Sequence, residues 1–207
     1  MTPPGTARIT PLPPKQWPPE MIDALAALRP PDALHPPLRR EGRPKALNAL
    51  GTLARYPALT RAFNTFNGHV LFSSTLSARQ RELVVLRVAA LRASDYEWAQ
   101  HVVLGGDAGL EPDEIARIAA GPGVAGWSEL DRAMLRAVDE LVNDAKISDE
   151  TWKALAARLD VHELMDVVFT VGCYDLLAMA FRSFGIELDE DLVAHGSAER
   201  ADDDASP

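Results

Sequence analysis

Twelve of the sixteen prolines fall within residues 1–44, and that placement restricts the fold more than any other feature of the chain. Proline fixes φ and has no N–H to donate, so this segment can supply neither a central strand nor a long helix. One short helix fits, from Pro19 to Leu28, closed by Pro30-Pro31. The remainder reads as an extended arm that wraps its own domain or reaches a neighbouring subunit. Trp17, Leu34 and Leu38 give the arm apolar groups to bury.

Beyond the arm the pattern is helical throughout, with no sustained period-two alternation. Expected helices run from Pro44 to Arg55, Ala58 to about Leu71, and from the Ser77 cap through Leu83, Leu86, Val88 and Leu91. Ser77 with Gln80 and Ser94 with Glu97 both have capping-box spacing. The Ser94 helix ends by Gly105-Gly106 or Gly109. Glu111-Pro112 opens a short helix, with proline near its first position. Ser128 caps a helix to about Asn143, and Ser148 caps another to about Leu159. A long, very apolar helix from Val161 to Phe184 is finished by Gly185. No βαβ unit and no phosphate-cradling glycine loop occurs, and Gly121-Pro122-Gly123 reads as a turn between helices. The fold class is all-α, a compact bundle with a proline-rich N-terminal arm.

At 207 residues and 47% hydrophobic composition, one domain with extensions can bury a sizeable core. A single cysteine excludes an internal disulfide framework and a thiolate zinc cluster. No uninterrupted run approaches 18 apolar residues, and the start lacks signal-peptide character, so a cytoplasmic protein without membrane attachment is expected. The net charge of −9 is concentrated at one end, because residues 187–207 hold eight acids and one arginine. What remains is nearly neutral, which argues against a nucleic-acid partner. The segment from about His195 reads as a solvated, disordered tail.

Glu82, Glu97 and His101 are the candidate site. Residues four apart on a helix share a face, so Glu97 and His101 point into the same space. Glu82, on the preceding helix, stands in the strongly apolar context Leu83-Val84-Val85-Leu86, where an unpartnered carboxylate is costly. Each has an ordinary alternative. Glu97 completes a capping box, His101 is a satisfied helical histidine, and Glu82 points outward beside Arg81. Cys173, in the long apolar helix, reads as a buried structural thiol. No further His or Glu-x-x-His element completes a metal site around Glu97 and His101.

Glu82 followed by Ser94-x-Tyr96-Glu97-Trp98-x-x-His101 resembles the carboxymuconolactone decarboxylase / alkyl hydroperoxidase D superfamily. Leu76-Ser77-x-Arg79-Gln80-Arg81-Glu82-Leu83 before it and Gly109-Leu110-x-Pro112-Asp113-Glu114-Ile115 after it extend the similarity, which covers about residues 45–190. The resemblance implies an alkyl hydroperoxidase D-like helical bundle, assembled as a trimer or hexamer with the site near a subunit interface. Residues 1–44 form the arm outside it, and 191–207 the acidic tail.

The hydroperoxidase branch carries Cys-x-x-Cys-x-x-x-His, and here Ser94 and Glu97 stand where its two cysteines would be. Serine and carboxylate cannot be oxidised and resolved as a thiol pair can. The resemblance therefore favours the decarboxylase-like branch. It implies a lyase-type, cofactor-independent acid/base reaction on a small carboxylated or lactone metabolite, with no metal. Glu82 and Glu97 would split their pKa values by mutual repulsion, and His101 would shuttle the proton or bind a substrate carboxylate. The competing classes are a non-catalytic oligomeric member and a peroxidase dependent on Cys173 alone.

Overall fold

The computed structural model describes residues 7–35 and 44–192. Among them are nine α-helices, one 3-10 turn at Pro14–Gln16 and no strand. The helices are α1 (Glu20–Ala26), α2 (Leu47–Leu53), α3 (Pro57–Phe72), α4 (Ala78–Arg92) and α5 (Asp95–Asp107). They continue with α6 (Pro112–Ala120), α7 (Glu129–Asp144), α8 (Asp149–Ala156) and α9 (Val161–Phe184). The all-α expectation holds, and each expected helix is present, α9 with the expected bounds and several others with shifted ends. The largest difference is α2, which starts three residues after Pro44 because Ala46 takes a left-handed conformation (φ 54°). Leu38, His195 and the expected disordered tail lie outside the described residues.

α4 is the axis of the bundle, packed against α5, α6, α7 and α9. The Ser77–Gln80 capping box fixes its start, and Ala93 in the left-handed region (φ 48°) ends it. Residues Arg81 to Ala89 are buried without interruption, so α4 has no solvent face to pattern. The charges inside that run are all committed. Arg87 donates to both oxygens of Asp139 (2.6 and 3.0 Å) and to the carbonyls of Ile118 and Ala119 that end α6. Only a residue without Cβ fits beside that guanidinium, since a Cβ at Gly121 would stand 2.8 Å from it.

α9 is long and apolar enough to cross a membrane by length and composition, with mean hydropathy 1.7. Half of that window is buried against α4, α7 and α3, which is how a bundle uses such a helix. An Asp160–Glu163 capping box starts α9, and Gly185 (φ 66°) terminates it as expected.

The described part of the arm lies on its own domain. Backbone approaches backbone at two glycines, where a Cβ at Gly51 would meet the Leu12 carbonyl at 2.4 Å and one at Gly68 the Leu28 carbonyl at 2.5 Å. Asn64 donates to the Ala24 carbonyl (2.8 Å), and Trp17 joins Met21, Ala24 and Ala54 in a small second core. Leu34 departs from expectation, being 61% exposed. At the other end, Asp189 is no solvated tail residue. It accepts from the Tyr96 hydroxyl (2.6 Å) and from the Asn48 backbone N–H (2.8 Å), tying α9's exit to α5 and α2.

Candidate active site

The second turn of α4 puts Glu82 against the middle of α5. Its carboxylate is fully buried and lies between two nitrogen donors. One oxygen accepts from Arg81 (3.1 Å) and the other from His101 Nδ1 (2.7 Å). Arg81 in turn donates to the Leu71 carbonyl at 2.9 Å, which holds it on the α3 side. Burial alone would raise the Glu82 pKa, but the adjacent His101 and Arg81 outweigh it and hold the carboxyl below its ordinary value. An ionised carboxylate can only accept, so His101 donates from Nδ1, and in the neutral ring the lone pair then lies on Nε2. The imidazole is held further by the Tyr174 ring, edge-on at 4.9 Å between centroids.

Glu97 is 1% exposed, and neither of its carboxyl oxygens has a hydrogen-bond partner. The expected capping box does not form. Ser94 is the N-cap residue of α5, but its side chain accepts nothing from the helix and its hydroxyl is itself buried without a partner. Burial pushes the Glu97 pKa up to about 8; the nearby Ser94 hydroxyl opposes this weakly, and the Asp175 charge on α9 adds to it. Ser94 is close enough for that electrostatic effect without meeting the distance and angle of a bond. The two glutamates do differ in proton affinity, but for another reason than mutual repulsion. Desolvation drives Glu97 up, and the adjacent His101 and Arg81 hold Glu82 down.

Glu97 and His101 open onto one cavity of about 170 Å³, whereas Glu82 lies behind His101 and does not line it. α5 supplies one wall, with Tyr96 and Gln100. Asn64 and Asn67 come from α3, Leu50 from α2, and Tyr174 and Phe181 from α9. Leu28, just beyond α1, closes one side, so the arm does contribute, from the same chain. A wider, open depression of about 620 Å³ near Pro18, Asp23, Tyr56 and Arg61 contains none of the three predicted site residues.

Cys173 is fully buried behind this cavity, with its thiol against the Asn67 side-chain oxygen (3.6 Å). Burial, and then the proximity of Glu97, push its pKa up to about 12. His69, without a partner in the local sequence, meets Asp166 of α9 at 3.3 Å. Sequence reasoning missed Arg81 as an ion-pair partner and Gln100 and Tyr174 as walls. Gln100 was findable, because it follows Glu97 by three on the same helical face. Among the described residues, no group of three His, Cys, Asp or Glu is placed to hold a metal ion.

The family model of the carboxymuconolactone decarboxylase family matches residues 57–140. Those residues belong to the carboxymuconolactone decarboxylase family. The matched segment runs from α3 into α7 and contains Glu82, Glu97 and His101. No match is found among curated proteins.

Solved structures extend the likeness across the bundle. A protein of unknown function from Agrobacterium tumefaciens, whose description names AhpD, superposes with TM-score 0.62 at 20% identity, covering 66% of this chain and 94% of that one. A peroxidase-related protein with an AhpD core from Ralstonia eutropha gives 0.63 at 19%, over 70% and 78% of the two chains. The debrominase Bmp8 gives 0.66 at 13%, over 90% and 94%. At these identities the likeness establishes an AhpD-like fold and leaves the reaction to the site. The cavity walls from Leu28, α2 and α9 fall outside the carboxymuconolactone decarboxylase family match.

Proposed function

We propose that this chain is a cytoplasmic, cofactor-independent acid/base enzyme of the decarboxylase-like kind, acting on a small carbonyl metabolite such as a lactone. The observation that carries the reading is one cavity holding two groups of opposite proton state. His101 offers a lone pair on Nε2, and Glu97 keeps its proton at neutral pH. A substrate carbon acid would give its proton to His101 Nε2. The electron pair from the broken C–H bond would pass to the carbonyl oxygen, which takes a hydrogen bond or the proton from Glu97. Glu82 stabilises the imidazolium that forms and fixes its tautomer, and Arg81 holds Glu82. Each positioned acid or base of this kind contributes roughly 10²–10⁴-fold.

The structural neighbours include the debrominase Bmp8, solved also as a cysteine-to-alanine variant in complex with 2,3,4-tribromopyrrole. A thiol reaction is disfavoured here, because Cys173 is buried and holds its proton to about pH 12. The two readings separate on two variants assayed against lactones and peroxides. His101→Ala should lose turnover by roughly 10²-fold or more while Cys173→Ser keeps it. Peroxide turnover abolished by Cys173→Ser would overturn the proposal.

Assembly is part of the same reading. Val161, Met165, Val168, Phe169, Leu176 and Met179 form one stripe on α9, each 37–64% exposed. Around Gly172, in the middle of that stripe, a Cβ would meet nothing within 4 Å. The stripe runs about 27 Å along the helix and carries no charge, and we propose that a second copy of the chain covers it in a trimer or hexamer. Light scattering should give a mass that is a multiple of 22.5 kDa, and Phe169→Glu should reduce it to the monomer. A wild-type monomer at micromolar concentration would refute this.

A further inference from the structure

The cavity has unfilled polar positions as well as volume. Both oxygens of Glu97 and the side-chain nitrogen of Gln100 are buried and lack hydrogen-bond partners, and both residues line it. Gln100 is near the Tyr96 hydroxyl without reaching hydrogen-bond geometry, and that hydroxyl is already committed to Asp189. Buried polar groups are almost always satisfied by protein, water or ligand. Here the unpaired groups stand one helical turn apart on the same face of α5, beside His101 with its free Nε2. Apart from Asn64 and Asn67, the rest of the wall is alanine, leucine and aromatic rings, with Phe63, Tyr174 and Phe181 among them.

Charge sets a second condition. No lysine or arginine is among the described residues that line the cavity. The guanidiniums of α4 are committed elsewhere, Arg81 to Glu82 and the Leu71 carbonyl, Arg87 to Asp139, Arg92 to Asp175 and the Val142 carbonyl. An entering carboxylate would meet the fields of Glu82 and Asp175 without a fixed cation to repay its desolvation. The volume sets a third. A cavity of about 170 Å³ is close to the roughly 150 Å³ that accommodates benzene in an engineered apolar site.

We propose that the ligand of this cavity is an uncharged, single-ring molecule that presents a carbonyl-type acceptor to Glu97 and Gln100 and a donor or acidic C–H to His101. This rests on the acid/base reading of the site and narrows its substrate class, setting lactones and other neutral carbonyl rings ahead of carboxylates. Benzamide and benzoate test it directly, since they match in shape and differ in charge. Calorimetric titration of the wild-type protein should show benzamide binding about tenfold or more tighter than benzoate, with Gln100→Leu weakening benzamide alone. Benzoate binding as tightly as benzamide would overturn the uncharged class, and failure of both at millimolar concentration would overturn the ring-sized class. Either failure leaves the acid/base reading standing. The converse is also distinguishable: a benzamide preference in a protein whose His101→Ala variant turns over like wild type would keep this inference and remove the enzymatic one.

Discussion

Glu97→Gln should abolish most of the loss of stability that the wild-type protein shows as pH rises from about 4.5 to about 8. The sign follows from proton counting. In the unfolded chain the Glu97 carboxyl gives up its proton near the ordinary value of 4.5, whereas the folded protein keeps it until about 8. Between those values the native state binds more protons than the unfolded state, so the unfolding free energy falls as pH rises. Below 4.5 both states are protonated, and above 8 both are ionised, so the effect is confined to that window. A displacement of this size corresponds to on the order of 5 kcal/mol when fully developed. Glutamine has the same shape and never ionises, so the slope should vanish in the variant. Denaturant unfolding of both proteins at pH 5, 7 and 9 measures it.

The same substitution tests the chemistry. Wild-type turnover should fall as pH rises through about 8, because the acid is then lost, while Glu97→Gln should be slow at every pH without that limb. The charged groups around the carboxyl are Asp175 on α9, His101 on its own helix and Glu82 on α4. Of these, only Asp175 adds to the rise of its pKa. Parallel stability profiles for variant and wild type would show that Glu97 is solvated and ionised at neutral pH, and the proposed acid would be gone.

The sequence makes the helices legible because each carries its own punctuation. Ser77, Ser128 and Ser148 accept from the backbone three residues on, Pro57 and Pro112 open helices, and Gly185 closes one. These are local interactions, written within one turn. Three site residues are legible for a related reason, since spacing on α5 pairs Glu97 with His101 and an acid inside an apolar run singles out Glu82. What spacing could not decide is what each acid touches. Glu97 has the separation for a capping box and does not form one, because α5's first turn is buried under α2, α3 and α9, where the carboxyl lines a cavity instead of folding back. Glu82 reads as a direct participant and proves to stand behind His101, since Arg81 and His101 close around it. The walls from Leu28 and α9 are separated from α5 by sequence distances that no periodicity reports. Asp189 shows the same limit, since nothing in its acidic surroundings reports that it is the acceptor for Tyr96 and for the start of α2.

Glu82→Gln should be the most damaging single change in the site, and in two separable ways. Removing one partner of a buried, hydrogen-bonded pair leaves the other charge without compensation, which typically costs about 3–5 kcal/mol. Arg81 is the charge left behind, at about a tenth exposed, with only the Leu71 carbonyl remaining. The loss should also depend on pH in the direction opposite to Glu97. Because His101 and Arg81 hold the Glu82 carboxyl below 4.5, the stability it contributes is present above that pH and disappears as pH falls through its folded value. Wild type and Glu82→Gln should therefore converge at low pH and differ most near neutrality. The catalytic effect goes through His101. Glutamine can accept from Nδ1 or, flipped, donate to it, so the tautomer with a free Nε2 is no longer enforced and the imidazolium loses its counter-charge. Turnover should drop roughly 10²–10⁴-fold, to about the level of His101→Ala, with the double variant no worse than either single one. Asp in place of Glu82 restores the charge but falls one methylene short of Nδ1, so Glu82→Asp should recover more of the stability than of the rate. A Glu82→Gln protein that folds as well as wild type and turns over at the wild-type rate would separate this pair from both stability and function.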